Sequence, residues 1–209
     1  MNVVAVQVGN YCGMGKAYAA ALFNALRRNL SGNHRYLCIT DDPATLPEGV
    51  EAIEPEPNLL GWWNKLAMFK PGKLPEGQTL YFDLDTVVIG SLDGFAAYGG
   101  SFAAMRDPYN KSHISSAVMA WDPRSATHVW TTWERAGKPQ FDPKGDQTWI
   151  ESVTPKIDRW QDFLPGQIVS FKADCVPLGG IAPGARIICF HGKPRPTEVD
   201  ADWMKEHWA

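Results

Sequence analysis

No apolar run in this chain approaches the ~20 residues that a membrane-spanning helix needs. No Lys/Arg-rich tract occurs either, and 20 Lys and Arg against 23 Asp and Glu leave a net charge of −3, which gives no electrostatic case for nucleic acid. The opening Met1–Val8 lacks a basic flank and is too short for the apolar segment of a signal peptide. Cysteines are few: Cys12, Cys38, Cys175 and Cys189 stand apart without paired spacing, so reduced thiols in a cytoplasmic protein fit better than a disulfide frame or a zinc site. Internal repeats and low-complexity stretches are missing too. What is there is 209 residues of ordinary globular composition, rich only in its nine Trp, and long enough for one domain with a sizeable core.

The hydrophobic pattern predicts an α/β fold with a mixed, mostly parallel sheet. Val3–Val8 and Tyr36–Thr40 read as buried strands flanking a helix over Lys16–Leu30, which makes a right-handed βαβ unit. Pro43–Pro57, acidic and proline-dotted, reads as loop, and Trp62–Phe69 as a short helix ended by Pro71-Gly72. Further strands are expected at Thr79–Asp83, Ser101–Met105, Ala117–Trp121 and Ile187–Phe190, with helices at Pro123–Ala136 and Asp146–Val153. Ligands of open sheets sit beyond the carboxyl ends of strands. Val8–Tyr11, Asp83–Asp85 and Phe190–Lys193 all fall at such ends.

The chemistry concentrates in Asp83-Leu84-Asp85, entered through the apolar Leu80-Tyr81-Phe82 and left through Val87-Val88-Ile89. In a strand, positions i and i+2 face one way, so both carboxylates are expected on one side. With no Lys or Arg near in sequence, a bound cation is the expected remedy for their repulsion. The bland alternative is a strand-end turn whose Asp side chains cap backbone amides. A third ligand is expected from His191, which ends an apolar strand and precedes Gly192-Lys193-Pro194. An Asp/Asp/His set is oxygen-rich and suits Mn²⁺ or Mg²⁺ better than zinc. Lys193 could then neutralise substrate phosphates, and Gly192 would let backbone approach them.

With these residues in place, the chain resembles the GT-A glycosyltransferases, and within them family 8, the glycogenin and lipopolysaccharide galactosyltransferase group. The resemblance rests on Gly61-Trp62-Trp63-Asn64-Lys65-Leu66, then Asp83-Leu84-Asp85, then Asp146-Gln147, then a shortened His191-Gly192-Lys193-Pro194, in that order along most of the chain. It implies a nucleotide-diphosphate hexose donor, a UDP-sugar first, with a Mn²⁺ on its diphosphate and retention of anomeric configuration. It also implies site residues: Asp83, Asp85 and His191 as metal ligands, Gly192 and Lys193 on the diphosphate, and Lys65 reaching the donor. Asp146 and Gln147 match the sugar pocket, with Gln147 below the anomeric carbon. Val8, Asn10 and Tyr11 fall at the nucleoside base, and Ser115 where the family carries a sugar-contacting amide. The acceptor hydroxyl, whether of a glycan, a lipid-linked sugar or a protein, stays open.

Other readings compete. Gly9 to Lys16 is similar to a phosphate-binding loop but has five residues between its glycines where four are required, and Ala17 lacks the magnesium-holding hydroxyl. A nucleotidyltransferase would open with an Arg- and Lys-bearing glycine loop, whereas one Lys stands here. A non-catalytic nucleotide-sugar-binding module would need neither the acids nor His191. Trp62 could stack on a sugar, while Trp63, Trp121, Trp130 and Trp133 read as core. Arg106-Asp107 and His113 are weaker candidates for donor and acceptor contacts. The tail Asp200–Ala209 reads as an amphipathic helix docked through Trp203, Met204 and Trp208.

Overall fold

The computed structural model describes residues 1–10, 14–140 and 145–208, so Tyr11 and Cys12 lie outside the described residues. Strand β1 (Asn2–Gln7) is buried along its whole length because it runs between two parallel neighbours, β2 (Arg35–Thr40) and β4 (Thr79–Phe82). Strand β3 (Val50–Ile53) pairs with β2 in parallel. That corrects the loop expected over Pro43–Pro57: an edge strand, half exposed, forms inside it. After β5 (Thr86–Val88), β6 (Phe102–Arg106) and β7 (Ile114–Trp121) pair antiparallel, and β7 pairs antiparallel with β4. A two-residue β8 (Asp158–Arg159) completes a seven-stranded sheet of order β3-β2-β1-β4-β7-β6-β8. A second sheet of order β5-β10-β9 joins β9 (Ile168–Ser170) and β10 (Ile187–Cys189) to β5.

Alternation along β1 divides the core. Val3 and Ala5 face the helix α1 (Gly15–Asn29), where they meet Tyr18, Leu22, Phe23 and Leu26. Arg27 and Arg28 in the last turn of α1 complement its dipole. The one-turn helices α2 (Asp93–Ala96) and α5 (Trp160–Phe163) add Phe95 and Trp160 to this layer. Val4 and Val6 face the other way, onto the 3₁₀ helix Gly61–Phe69 and onto α3 (Pro123–Arg135) and α4 (Asp146–Val153). Helix α3 starts where its sequence says it should: Asp122 accepts the Arg124 N–H and Pro123 follows at the first position. Trp63, Trp121, Trp130 and Trp133 are core, as expected. The tail helix α6 (Asp202–His207) docks as read, with Met204 buried and the Trp208 ring 5.2 Å from Tyr18, edge to face.

Cys38, Cys175 and Cys189 are buried free thiols. Among the described residues no helix is long and apolar enough to cross a membrane.

Candidate active site

The carboxyl ends of β1, β4 and β10 open on one cavity of about 580 Å³, within the ~300–1,000 Å³ usual for small-ligand sites. Its wall holds Val8 and Asn10 from the end of β1 and Asp83, Leu84 and Asp85 from the end of β4. Ser115 at the start of β7, Asp146 and Gln147 at the start of α4, and His191 and Gly192 after β10 complete it. Lys65 lines it from the 3₁₀ helix. Chain segments far apart in sequence thus converge as expected.

The reason the two acids share this cavity differs from the expected one. Strand β4 stops at Phe82, and the Thr86 N–H donates to the Asp83 carbonyl at 3.1 Å, so residues 83–86 form a turn. Turn geometry, rather than strand alternation, brings Asp83 and Asp85 to one wall. Nor is Asp83 without a basic neighbour: Lys65 Nζ lies 2.7 Å from its Oδ1, and the Tyr81 hydroxyl donates to the same oxygen at 2.6 Å. Lys65 also donates to Ser116 Oγ at 3.2 Å and stands 3.7 Å from Asp146. Burial alone would push this ammonium down, yet Asp146 and Asp83 hold it above its ordinary value. Burial lifts the Asp146 carboxyl above the usual carboxylate range, with Lys65 pulling the other way. Lys65 is therefore a tether between two acids as well as a wall residue.

Gln147 is fixed from both ends. The pairing of β6 with β7 jumps from Ala104↔Met119 to Met105↔Ser115, an irregularity that turns Ser115 and Ser116 onto the cavity. The Ser116 N–H donates to Gln147 Oε1 at 3.3 Å, while the Gln147 side chain also bonds to Asp107. Burial would raise Asp107, but the amides of Asn110 and Tyr109 and the Gln147 side chain hold it below the usual range. Asp107 thus orients Gln147, whereas Arg106 turns away to Asp162 at 2.6 Å and His113 to Glu151 at 2.9 Å.

Gly145 precedes α4 at φ +66° and ψ −142°, a conformation open in practice to glycine alone. A Cβ there would also meet Trp62 Nε1 at 2.5 Å. Trp62 itself is 61% exposed on the cavity wall, unlike its buried neighbour Trp63. Gly145→Ala is expected to lose about 1–3 kcal/mol of stability from the strained backbone. A chemical-denaturation midpoint equal to that of the parent protein would contradict this.

His191 is half-buried on the wall, and burial pushes its imidazole below the ordinary value against the pull of Asp83 and Asp107. Lys193 points elsewhere: its side chain is 81% exposed, 3.9 Å from Glu198. Arg195, which no motif singles out, is the basic residue of this segment that lines the cavity. Gln7 is the other omission. It is nearly fully buried within β1, its amide donates to Thr45 Oγ1 at 2.9 Å, and its Oε1 has no partner. Asp146 Oδ2 and His191 Nε2 are likewise buried and unpartnered, so three wall residues each present an unsatisfied polar atom.

For a divalent ion, the donor types fit. Two carboxylates and an imidazole with an unpartnered Nε2 line one wall. As they stand, no three acid, imidazole or thiol groups among the described residues are close enough to hold a metal.

Neither a family model nor a curated protein matches this sequence. Solved structures do match in shape. The galactosyltransferase LgtC in complex with donor and acceptor sugar analogues superposes with a TM-score of 0.68 at 12% identity, over 99% of this chain and 94% of that one. The WbbM bifunctional glycosyltransferase gives 0.72 at 13% identity, over 100% of this chain and 49% of that one. The glycosyltransferase GlyE of Streptococcus pneumoniae TIGR4 gives 0.65 at 14% identity, over 98% and 62%. At such identities the likeness speaks for architecture, and the architecture is the GT-A fold.

Proposed function

We propose that this protein is a glycosyltransferase that moves a hexose from a nucleotide-diphosphate sugar, a UDP-sugar by the family-8 resemblance, to a hydroxyl acceptor with retention. The observation that carries the reading is the trio of buried, unpartnered polar atoms, Gln7 Oε1, Asp146 Oδ2 and His191 Nε2, on one cavity that also holds Asp83 and Asp85. Buried polar groups are normally paired, so a polar ligand is the natural partner for all three. Supporting it, LgtC has been seen with donor and acceptor sugar analogues, and a glutamine-to-glutamate variant of that protein is described as an active-site mutant.

In this reading the nucleoside lies against Val8, Asn10 and Gln7. Gln7 and Asn10 also line a neighbouring cavity of about 850 Å³ at the start of α1, which gives the nucleoside end room. Asp83, Asp85 and His191 would hold a manganese or magnesium ion on drawing closer together than they stand here. Such an ion, when bound, neutralises charge on the departing diphosphate. Lys65 holds Asp83 and Asp146 in place. Ser115, Asp146 and Gln147 surround the hexose, and their oxygens favour the positive charge that grows on the anomeric carbon as its bond to phosphate breaks. Gln is a poor nucleophile, so the acceptor oxygen attacks from the face the phosphate leaves. Its bond to the anomeric carbon forms as the carbon–phosphate-oxygen bond breaks, and its proton passes to the leaving phosphate.

A thermal-shift panel of UDP, GDP and their sugars, with and without Mn²⁺, tests the assignment. A ligand at a hundredfold its dissociation constant should stabilise the fold by about 2.7 kcal/mol. If every one of these compounds leaves the melting temperature unmoved in both conditions, no donor of this class binds.

A further inference from the structure

We propose that the charge on the departing diphosphate is met by Lys172, reaching over Gly192 from the turn beside it, in place of Lys193; the inference rests on the nucleotide-sugar donor assigned above. Strand β9 runs parallel to β10 with Ser170 opposite Cys189, and the next pair, Phe171 and Phe190, stacks at 4.4 Å between ring centroids. The two chains therefore leave the small sheet side by side, and Lys172 departs next to His191. The turn that carries it, Phe171–Cys175, is closed at both ends. Ser170 Oγ accepts the Ala173 N–H at 3.2 Å, and the Ser170 N–H donates to Asp174 Oδ2 at 2.7 Å. A rigid turn thus holds the stem of a long, flexible cation.

Where the ammonium ends is the decisive geometry. Lys172 Nζ is 4.0 Å from the point a Cβ on Gly192 would occupy, and Gly192 is a wall residue at φ +70°. Glycine leaves that space open, so an anion against the Gly192 backbone comes within reach of Lys172. Among the described residues no ion pair or hydrogen bond engages this ammonium, although Lys172 as a residue is half-buried. Most other half-buried cations here are paired: Lys73 with Glu56 at 2.8 Å, Arg106 with Asp162 at 2.6 Å, Arg159 with Glu151 at 3.5 Å. Asp174, the nearest acid in sequence, is spent on the Ser170 amide. Lys193, by contrast, is turned to solvent and to Glu198. A phosphate oxygen would supply the charged acceptor that Lys172 lacks.

Calorimetric titration of the full chain in Mn²⁺ with UDP, GDP, uridine and guanosine decides between the two lysines. Lys172→Met is expected to weaken the preferred diphosphate about tenfold or more while leaving its nucleoside unchanged, as loss of one charge-assisted bond implies. Lys172→Arg should recover most of that loss, and Lys193→Met should stay within about twofold of the parent protein. The inference is overturned if Lys172→Met binds diphosphate like the parent, if it weakens nucleoside and diphosphate equally, or if Lys193→Met loses as much. A parent protein that binds no nucleoside diphosphate overturns the donor assignment itself, and this inference with it.

Discussion

Replacing Lys65 by methionine is expected to remove about 3–5 kcal/mol of stability and to abolish transfer. The side chain is buried among Asp83, Asp146 and Ser116, with its ammonium 2.7 Å from one carboxylate and 3.7 Å from the other. Methionine fills a similar volume, so the loss is electrostatic and not a cavity effect. Without the ammonium, Asp83 keeps only the Tyr81 hydroxyl among the bonds described, and Asp146, whose Oδ2 already has no partner, loses its counter-charge. Burying an uncompensated charge is the expensive half of breaking such a pair. The urea-denaturation midpoint measures the effect. The double variant Lys65→Met with Asp83→Asn should regain part of the loss, because it removes one carboxylate along with its partner. A single variant within about 1 kcal/mol of the parent would mean that water screens these charges far better than their burial implies.

How much of this could be read from the sequence depends on how local each signal is. β1, α1 and β2 were legible because their apolar spacing is set by their own burial. β3 was not: it lies at the sheet edge with two of its four residues exposed, inside a proline-dotted acidic stretch. β8 and β9 are two and three residues long, too short to show a period. At the site, Asp83-Leu84-Asp85 and Asp146-Gln147 stood out as motifs and do share a cavity. The tether that Lys65 makes between them, 18 residues upstream of one acid and 81 upstream of the other, is a tertiary fact no spacing rule carries. Gln7 was hidden for the opposite reason: inside the apolar run Val3–Val8 it reads as one more residue of a buried strand, until its unpartnered oxygen shows otherwise. Lys193 drew attention by following His191 in sequence, whereas Lys172 is its neighbour across the sheet.

Gln147→Ala is expected to lower turnover about a hundredfold or more, with little change in the affinity for donor. The side chain is held by the Ser116 amide on its Oε1 and bonded to Asp107, so it approaches the substrate in one orientation and gives up little freedom on reaction. A dipole fixed in that way acts mainly on charge that develops at the anomeric carbon, which places its effect in kcat and not in KM. Loss of the side chain also frees Asp107, so Asp107→Asn should reproduce part of the defect by loosening the same amide. Initial rates with UDP-glucose and UDP-galactose, water serving as acceptor when no other is known, supply both constants. The anomeric proton of the fresh product, read by NMR before mutarotation, supplies the stereochemistry. Retention agrees with attack from the face the phosphate leaves, while an inverted product would put the acceptor on the opposite face and a base beside it. A Gln147→Ala protein with unchanged kcat would reduce this residue to part of the wall, and the growing positive charge would then fall to Asp146, whose buried Oδ2 has no partner.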